Sequence, residues 1–202
     1  PSVIDIGAAG TAMRFLTVYL AATNGEHTLT GSDRMKQRPI GILVETLRTL
    51  GADITYVSEE GFPPLLIKGR KLHGGSIEIP GNISSQFISA LLMMAPIMSE
   101  GLELRLTGDI VSRPYIDLTL CTMKQFGASA DWADSCTIRV DATPYEARPY
   151  LIENDWTAAS YWYEIVALCG VGSASVSLRG LMDGSRQGDA VVKYIFSLLG
   201  VK

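Results

Sequence analysis

Four short stretches of this chain gather the residue types that hold phosphate and carboxylate groups. They are Gly7-Ala8-Ala9-Gly10-Thr11 with Arg14 one turn on, Lys36-Gln37-Arg38-Pro39, Ser84-Ser85-Gln86, and Ser112-Arg113-Pro114-Tyr115. Each stands where a loop enters an expected helix. A helix start leaves backbone N–H groups unpaired and carries partial positive charge, so it attracts anions. Residues without bulk let an anion approach the backbone, and a guanidinium can grip a carboxylate or phosphate with two parallel bonds. Two hydroxyls and an amide at one helix mouth suit a polyhydroxylated, phosphorylated ligand. The same groups also suit plain capping, in which one serine closes the helix and the rest is loop. Either reading fits a single junction. Four polar junctions in one architecture make the ligand reading competitive.

Other chemistries find little support. His27 and His73 lie far apart without ligand-like neighbours, so no metal site is expected. Cys121, Cys136 and Cys169 are odd in number and form no Cys-x-x-Cys pair, which favours free thiols in a reducing, cytoplasmic setting. The net charge of −4 gives no global basic field for nucleic acid. Arg34, Lys36 and Arg38 do cluster, and their plain alternative is a solvated surface. The apolar run over 87–98, interrupted at Ser89, is too short to span a bilayer and reads as a buried helix. The "GVGSAS" stretch at 170 follows a helix and lacks nucleotide-loop spacing.

The elements that position these junctions repeat. The phrases "LTGSDRMKQRPIGILVETLRTLGADITY", "LTGDIVSRPYIDLTLCTMKQFGASADW" and "LRGLMDGSRQGDAVVKYIFSLLGVK" each open on Leu-x-Gly, and in each a helix-like pattern is closed by a glycine. The intervals from Gly31 to Gly51, Gly108 to Gly127 and Gly180 to Gly200 are almost equal. Upstream of each copy lies a helix-like stretch, at 10–22, 85–95 and 155–169. A strand-like stretch precedes each: "SVIDI", "GSIEI" and "RPYLI". The unit is strand, helix, strand, helix, strand, strand, written βαβαββ. Two units run over about 2–69 and 75–141, and a third begins near 148. Pro39 and Pro114 suit the first turn of the second helices. The opening at Pro1 without methionine and the stop at "SLLGVK" read as a piece of a longer protein.

The motifs "GAAGTAMRFL", "RMKQRPIGILVETLRTLGADI", "SSQFISALLMMAP" and "SRPYIDLTL", in this order, closely resemble the 5-enolpyruvylshikimate-3-phosphate synthases, or 3-phosphoshikimate 1-carboxyvinyltransferases. The likeness covers essentially the whole chain. It implies an α/β fold of the α+β type, an inverse α/β barrel of six βαβαββ units with helices inside and sheets outside. Residues 1–150 would be two of the three units of the first domain, and 151–202 the start of the second-domain segment. It implies transfer of the enolpyruvyl group from phosphoenolpyruvate to the 5-hydroxyl of shikimate 3-phosphate, in aromatic amino acid biosynthesis, without metal or organic cofactor. By the same resemblance Ser84, Ser85, Gln86, Ser112 and Tyr115 contact shikimate 3-phosphate, and Gly10, Arg38 and Gln86 contact phosphoenolpyruvate or the inhibitor glyphosate. Thr11, Arg14 and Phe15 would shape the loop around Gly10.

The chain departs from the family pattern at Ala8, often Asn, and at Phe15, often Pro or another small residue. The resemblance implies that the family's N-terminal lysine and arginine would precede Pro1, and that its principal aspartate base, its glutamate, further arginines, a histidine and a lysine would follow Lys202. No catalytic acid or base is therefore expected in this chain, and little or no turnover. Asp155 reads as a helix start or cleft residue, with substitute base as the alternative. The whole enzyme is expected to be a monomer, while this chain is expected to self-associate through uncovered helix faces. Two alternatives stand beside this reading. One is a UDP-N-acetylglucosamine 1-carboxyvinyltransferase, which shares the fold but uses a loop cysteine. The other is a noncatalytic phosphate-ligand binding module or a structural repeat protein. Neither nucleic acid nor membrane is expected as a partner.

Overall fold

Residues 2–170 and 172–201 are described by a computed structural model. Of the glycine turn at 170, Val171 lies outside the described residues. The chain forms two compact units that divide between Ala147 and Arg148.

The first unit holds two successive repeats. The first runs β1 (Ser2–Asp5), α1 (Gly10–Ala22), β2 (Gly25–Thr30), α2 (Asp33–Lys36), α3 (Gly41–Thr49), β3 (Asp53–Tyr56) and β4 (Leu65–Gly69). The second runs β5 (Gly75–Pro80), α4 (Ser85–Met94) with a 3₁₀ turn at Ala95–Ile97, β6 (Leu102–Thr107), α5 (Arg113–Gln125), β7 (Ala130–Trp132) and β8 (Thr137–Val140). Each makes one four-stranded sheet, in the orders β1-β2-β4-β3 and β5-β6-β8-β7. The first two strands of each sheet are parallel and the remaining pairings antiparallel. The registers correspond, with Ile4 opposite Leu29 and Ile77 opposite Leu104. The repeat read from Leu-x-Gly spacing is thus a structural repeat in both copies.

Side-chain alternation explains the layering. In β6, Leu102, Leu104 and Leu106 face the core while Arg105 faces out. On that outer face Arg105 reaches Glu78 at 3.2 Å and Arg139 reaches Glu103 at 2.6 Å, exposed cross-strand pairs of small energetic weight. Helix α4 buries Phe87, Ile88, Ser89, Ala90, Leu91 and Leu92, which together surround its axis. A helix that is apolar nearly all round belongs in an interior, and α4 packs there between α1 and α5. In this unit the helices lie inside and the sheets outside. The closing glycines Gly51 and Gly127 follow the ends of α3 and α5 at φ +97° and +87°, where a side chain would be strained.

Helix starts follow sequence chemistry with one correction. Pro114 stands in the first turn of α5, as expected. Pro39 does not stand in the first turn of α3. Proline disfavours helical backbone at the residue before it, here Arg38. The chain instead makes the short α2, whose N-cap Ser32 accepts from the Met35 N–H, breaks at Arg38-Pro39, and restarts at Gly41.

The second unit contains α6 (Trp156–Leu168), a 3₁₀ turn at Gly188–Val191, and α7 (Val192–Ser197). The expected strand "RPYLI" is not formed, and Leu151 and Ile152 are exposed. Its end still meets the third Leu-x-Gly phrase: Asn154 N–H donates to the Gly180 carbonyl at 2.8 Å and Asn154 Nδ2 to the Arg179 carbonyl at 2.7 Å. In the first two repeats Ile6 and Gly81 make the matching bonds to Thr30 and Thr107, beside a full ladder on a buried face. A strand pair without a covered face is marginal in water, which accounts for the missing ladder. Cys169 caps the end of α6 rather than lying inside it, and among the described residues all three thiols are free.

Glu153 organises this loop-rich unit. Its carboxylate accepts from Trp156 Nε1 (2.7 Å), the Met182 N–H (2.8 Å), Ser185 Oγ (2.7 Å) and Gln187 Nε2 (3.2 Å). Burial opposes its ionisation, but these donors outweigh it and hold its pKa below the ordinary value. A depressed carboxylate pKa means stability that is present above the ordinary glutamate range and is lost as pH falls through the folded-state value. Acid titration followed on the Trp156 indole N–H resonance is expected to show that proton shifting below the usual glutamate range. Glu153→Gln should abolish the shift, and an invariant resonance in the original chain would refute the assignment.

Candidate functional site

The mouth of α1 is a pinned turn followed by an uncapped helix. The Gly7 N–H donates to Asp5 Oδ1 at 2.8 Å, the Ala9 N–H to the Ile6 carbonyl at 3.1 Å, and the Ser32 N–H to the Gly7 carbonyl at 2.9 Å. Gly31 must lack a side chain because a Cβ there would meet the Gly7 carbonyl oxygen. The N-cap is Ala9, which has no side-chain acceptor, and the first helical bond runs from Met13 to Ala9. The first-turn N–H groups of Gly10, Thr11 and Ala12 are left without a side-chain cap.

Two guanidinium groups converge on Gly10. A Cβ placed there would collide with Arg38 Nη1 and come within 2.8 Å of Arg14 Nη1. Arg14 is 6% exposed, donates through Nη1 to the Gly10 carbonyl at 2.9 Å, and lies 5.7 Å from the centre of the Phe87 ring. Its Nε is buried without a partner. Burial first, and the charge of Arg38 second, push its pKa below the ordinary arginine value. Among the described residues neither Arg14 nor Arg38 has a carboxylate partner. The break before Pro39 is what brings Arg38 here. A cavity of about 410 Å³ beside the turn is lined by Ala8, Ser32, Arg34, Met35 and Arg38. Of the basic cluster, Lys36 instead pairs with Asp33 at 3.2 Å on the surface.

The second mouth joins the first. Ser84 caps α4 through its Oγ, which accepts from the Gln86 N–H at 3.4 Å. Ser85 and Gln86 occupy the first helical turn rather than a loop. Among the described residues no hydrogen bond engages the Ser85 hydroxyl, while Gln86 Nε2 donates to Thr11 Oγ1 at 2.9 Å. The capping and ligand readings therefore divide between adjacent residues: Ser84 caps, and Ser85 stays available.

The α5 mouth lies beside that of α4. The Val111 N–H donates to the Gly81 carbonyl at 3.1 Å, and one turn into each helix Ser89 Oγ and Thr119 Oγ1 lie 2.7 Å apart. Ser85 and Tyr115 each precede these by four residues, so they share one end of the α4–α5 pair. Ser112, the α5 N-cap, sits at φ +62° without a side-chain capping bond. A left-handed serine stores strain of about 1–3 kcal/mol, a feature that clusters at functional positions. Arg113 turns away, its guanidinium 4.0 Å from the centre of the Trp132 ring and bonded to the Ser135 carbonyl. In the second unit Asp155 caps α6, accepting from the Thr157 N–H at 2.8 Å.

Sequence reading missed Ser32, the burial of Arg14, and the Thr11–Gln86 bond. The Ser32-Asp33 pair was a legible N-cap signal. The other two depend on the packing of helices distant in sequence and have no local signature.

No helix of the structure is long and apolar enough to cross a membrane. Among the described residues no three His, Cys, Asp or Glu side chains group to hold a metal. The model for "EPSP synthase (3-phosphoshikimate 1-carboxyvinyltransferase)" matches residues 1–202. A 3-phosphoshikimate 1-carboxyvinyltransferase of Bacteroides fragilis is 59% identical over 199 residues, 98% of this chain and 48% of that protein. One from Photobacterium profundum is 44% identical over 98% of this chain and 46% of its own length. The chain thus spans about half the length of the curated relatives it matches. A solved EPSP synthase from Acinetobacter baumannii superposes with a TM-score of 0.74 at 22% identity, over 94% of this chain and 42% of that one, which establishes the shared fold. By sequence over its whole length and by fold, the chain belongs to the EPSP synthase family.

Proposed function

We propose that this chain carries the substrate-holding part of a 3-phosphoshikimate 1-carboxyvinyltransferase. The reaction moves the enolpyruvyl group of phosphoenolpyruvate to the 5-hydroxyl of shikimate 3-phosphate and releases phosphate. The observation that carries this reading is the uncapped α1 mouth with Arg14 and Arg38 unneutralised against Gly10. Phosphoenolpyruvate bears a phosphate and a carboxylate on a three-carbon frame. Free N–H groups and two guanidiniums match that charge. Gly10 keeps the approach open, and Arg38 clamps the anion. Shikimate 3-phosphate then lies along the neighbouring mouths, with Ser85, Gln86, Ser112 and Tyr115 as its contacts and Ser84 holding the helix start. The chemistry is addition to the enol carbon followed by elimination, which needs acid and base groups. Those groups are assigned outside these residues, so the chain binds substrate without appreciable turnover. The three free thiols suit a reducing, cytoplasmic setting.

Calorimetric titration of shikimate 3-phosphate into the chain tests this reading. Binding is expected, with Ser85→Ala weakening it about fivefold to tenfold through one lost hydrogen bond. Steady phosphate release with both substrates present would overturn the assignment of the acid–base groups elsewhere.

Gly10→Ala is expected to leave the fold intact, because the added methyl meets guanidinium ends rather than backbone and its severest clash is with the exposed, movable Arg38. It should weaken phosphoenolpyruvate binding about tenfold or more by displacing Arg38 from a charge-assisted contact. Unchanged affinity would remove Gly10 and Arg38 from the site.

The exposed Tyr161, Trp162, Ile165 and Leu168 of α6, with Tyr194 and Ile195 of α7, support self-association of the chain. Sedimentation velocity should give a mass that rises with concentration, and a constant monomer mass would reject it.

A further inference from the structure

We propose that Thr11 is a positioning residue that couples the two substrate half-sites by holding the Gln86 carboxamide. The inference rests on the substrate reading above and extends it. Thr11 follows Gly10 at the mouth of α1, and Gln86 follows Ser85 at the mouth of α4. The bond from Gln86 Nε2 to Thr11 Oγ1 spans these two mouths and joins residues 75 apart in sequence. Neither side chain is needed to close its own helix. Ser84 caps α4, and α1 begins without a side-chain cap. The bond therefore has a role other than capping.

Its polarity matters. With one Nε2 proton committed to Thr11, the amide presents its carbonyl oxygen and its second proton to a ligand in a set orientation. The Thr11 hydroxyl, acting as acceptor, keeps its own proton to donate. Gln86 would otherwise be a side chain with three free rotations, and a ligand would have to order it. The Arg14 guanidinium also rests over the ring of Phe87, the residue after Gln86, so a second contact joins the same two helices. An anion at Gly10 that draws on the Thr11 hydroxyl thus shifts or stiffens Gln86, and a sugar phosphate on Gln86 acts back on Thr11. Such coupling is reciprocal by thermodynamic necessity. The bond contains no titratable group, so it does not itself switch with pH.

The test is titration of shikimate 3-phosphate into the chain, with and without saturating phosphoenolpyruvate, for the original protein, Thr11→Ser and Thr11→Val. Thr11 is exposed and valine has its shape, so folding is unaffected. The original chain should bind shikimate 3-phosphate more tightly when phosphoenolpyruvate is present. Thr11→Ser should retain that enhancement within about twofold, and Thr11→Val should reduce it about threefold to tenfold, the range of one hydrogen bond. A merely structural role would weaken both measurements alike and leave their ratio unchanged. Enhancement that survives in Thr11→Val, or is absent from the original chain while shikimate 3-phosphate still binds, overturns the coupling alone. An original chain that binds no shikimate 3-phosphate overturns the substrate reading and the coupling with it.

Discussion

A buried guanidinium without a carboxylate is the constraint on which the α1 mouth depends. Arg14 satisfies one nitrogen on the Gly10 carbonyl and leans on Phe87, yet its Nε remains unpaired and Arg38 adds like charge beside it. Withdrawing such a group from water is unfavourable unless something opposes it. Fold stability alone offers no reason to keep it. The pinned turn, the missing cap and the glycine between the two arginines all leave the complementary place open to an anion.

That arrangement depends in turn on helix packing. Because α4 is apolar nearly all round, it must lie inside, and inside it meets α1 on one flank and α5 on the other. The bond from Gln86 in the first turn of α4 to Thr11 in the first turn of α1 shows that the two helices begin at the same end. Polar mouths that are far apart in sequence then become neighbours. The core thus organises the site: the apolar run at 87–92 brings the hydroxyls and amide ahead of it to α1. Mutations that loosen α4 would be expected to disturb ligand contacts without touching a ligand.

Much of this could be read from residue order. The Leu-x-Gly phrases and closing glycines located both complete repeats because each glycine answers a local demand of the backbone or of close packing. Ser84 and Asp155 were legible as helix starts because capping is local chemistry. The second unit was less legible. The alternation in "RPYLI" describes a strand, but a strand also needs a neighbour and a covered face, which no local pattern encodes. Pro39 misled for a related reason. Its fixed ring fits a helix start, yet its effect on Arg38 ended one helix before the next began. The Thr11–Gln86 bond lay beyond reach altogether, since it arises only when two repeats pack together.

Ser112 carries a different kind of information. Glycine would adopt φ +62° there at no steric penalty, whereas serine retains the strain and offers a hydroxyl that caps nothing. Selection for thermal robustness alone would drive this position toward glycine and erase the hydroxyl. A library sorted for folding and another sorted for ligand retention should therefore diverge at this codon. That divergence would separate residues kept for architecture from residues kept in spite of it.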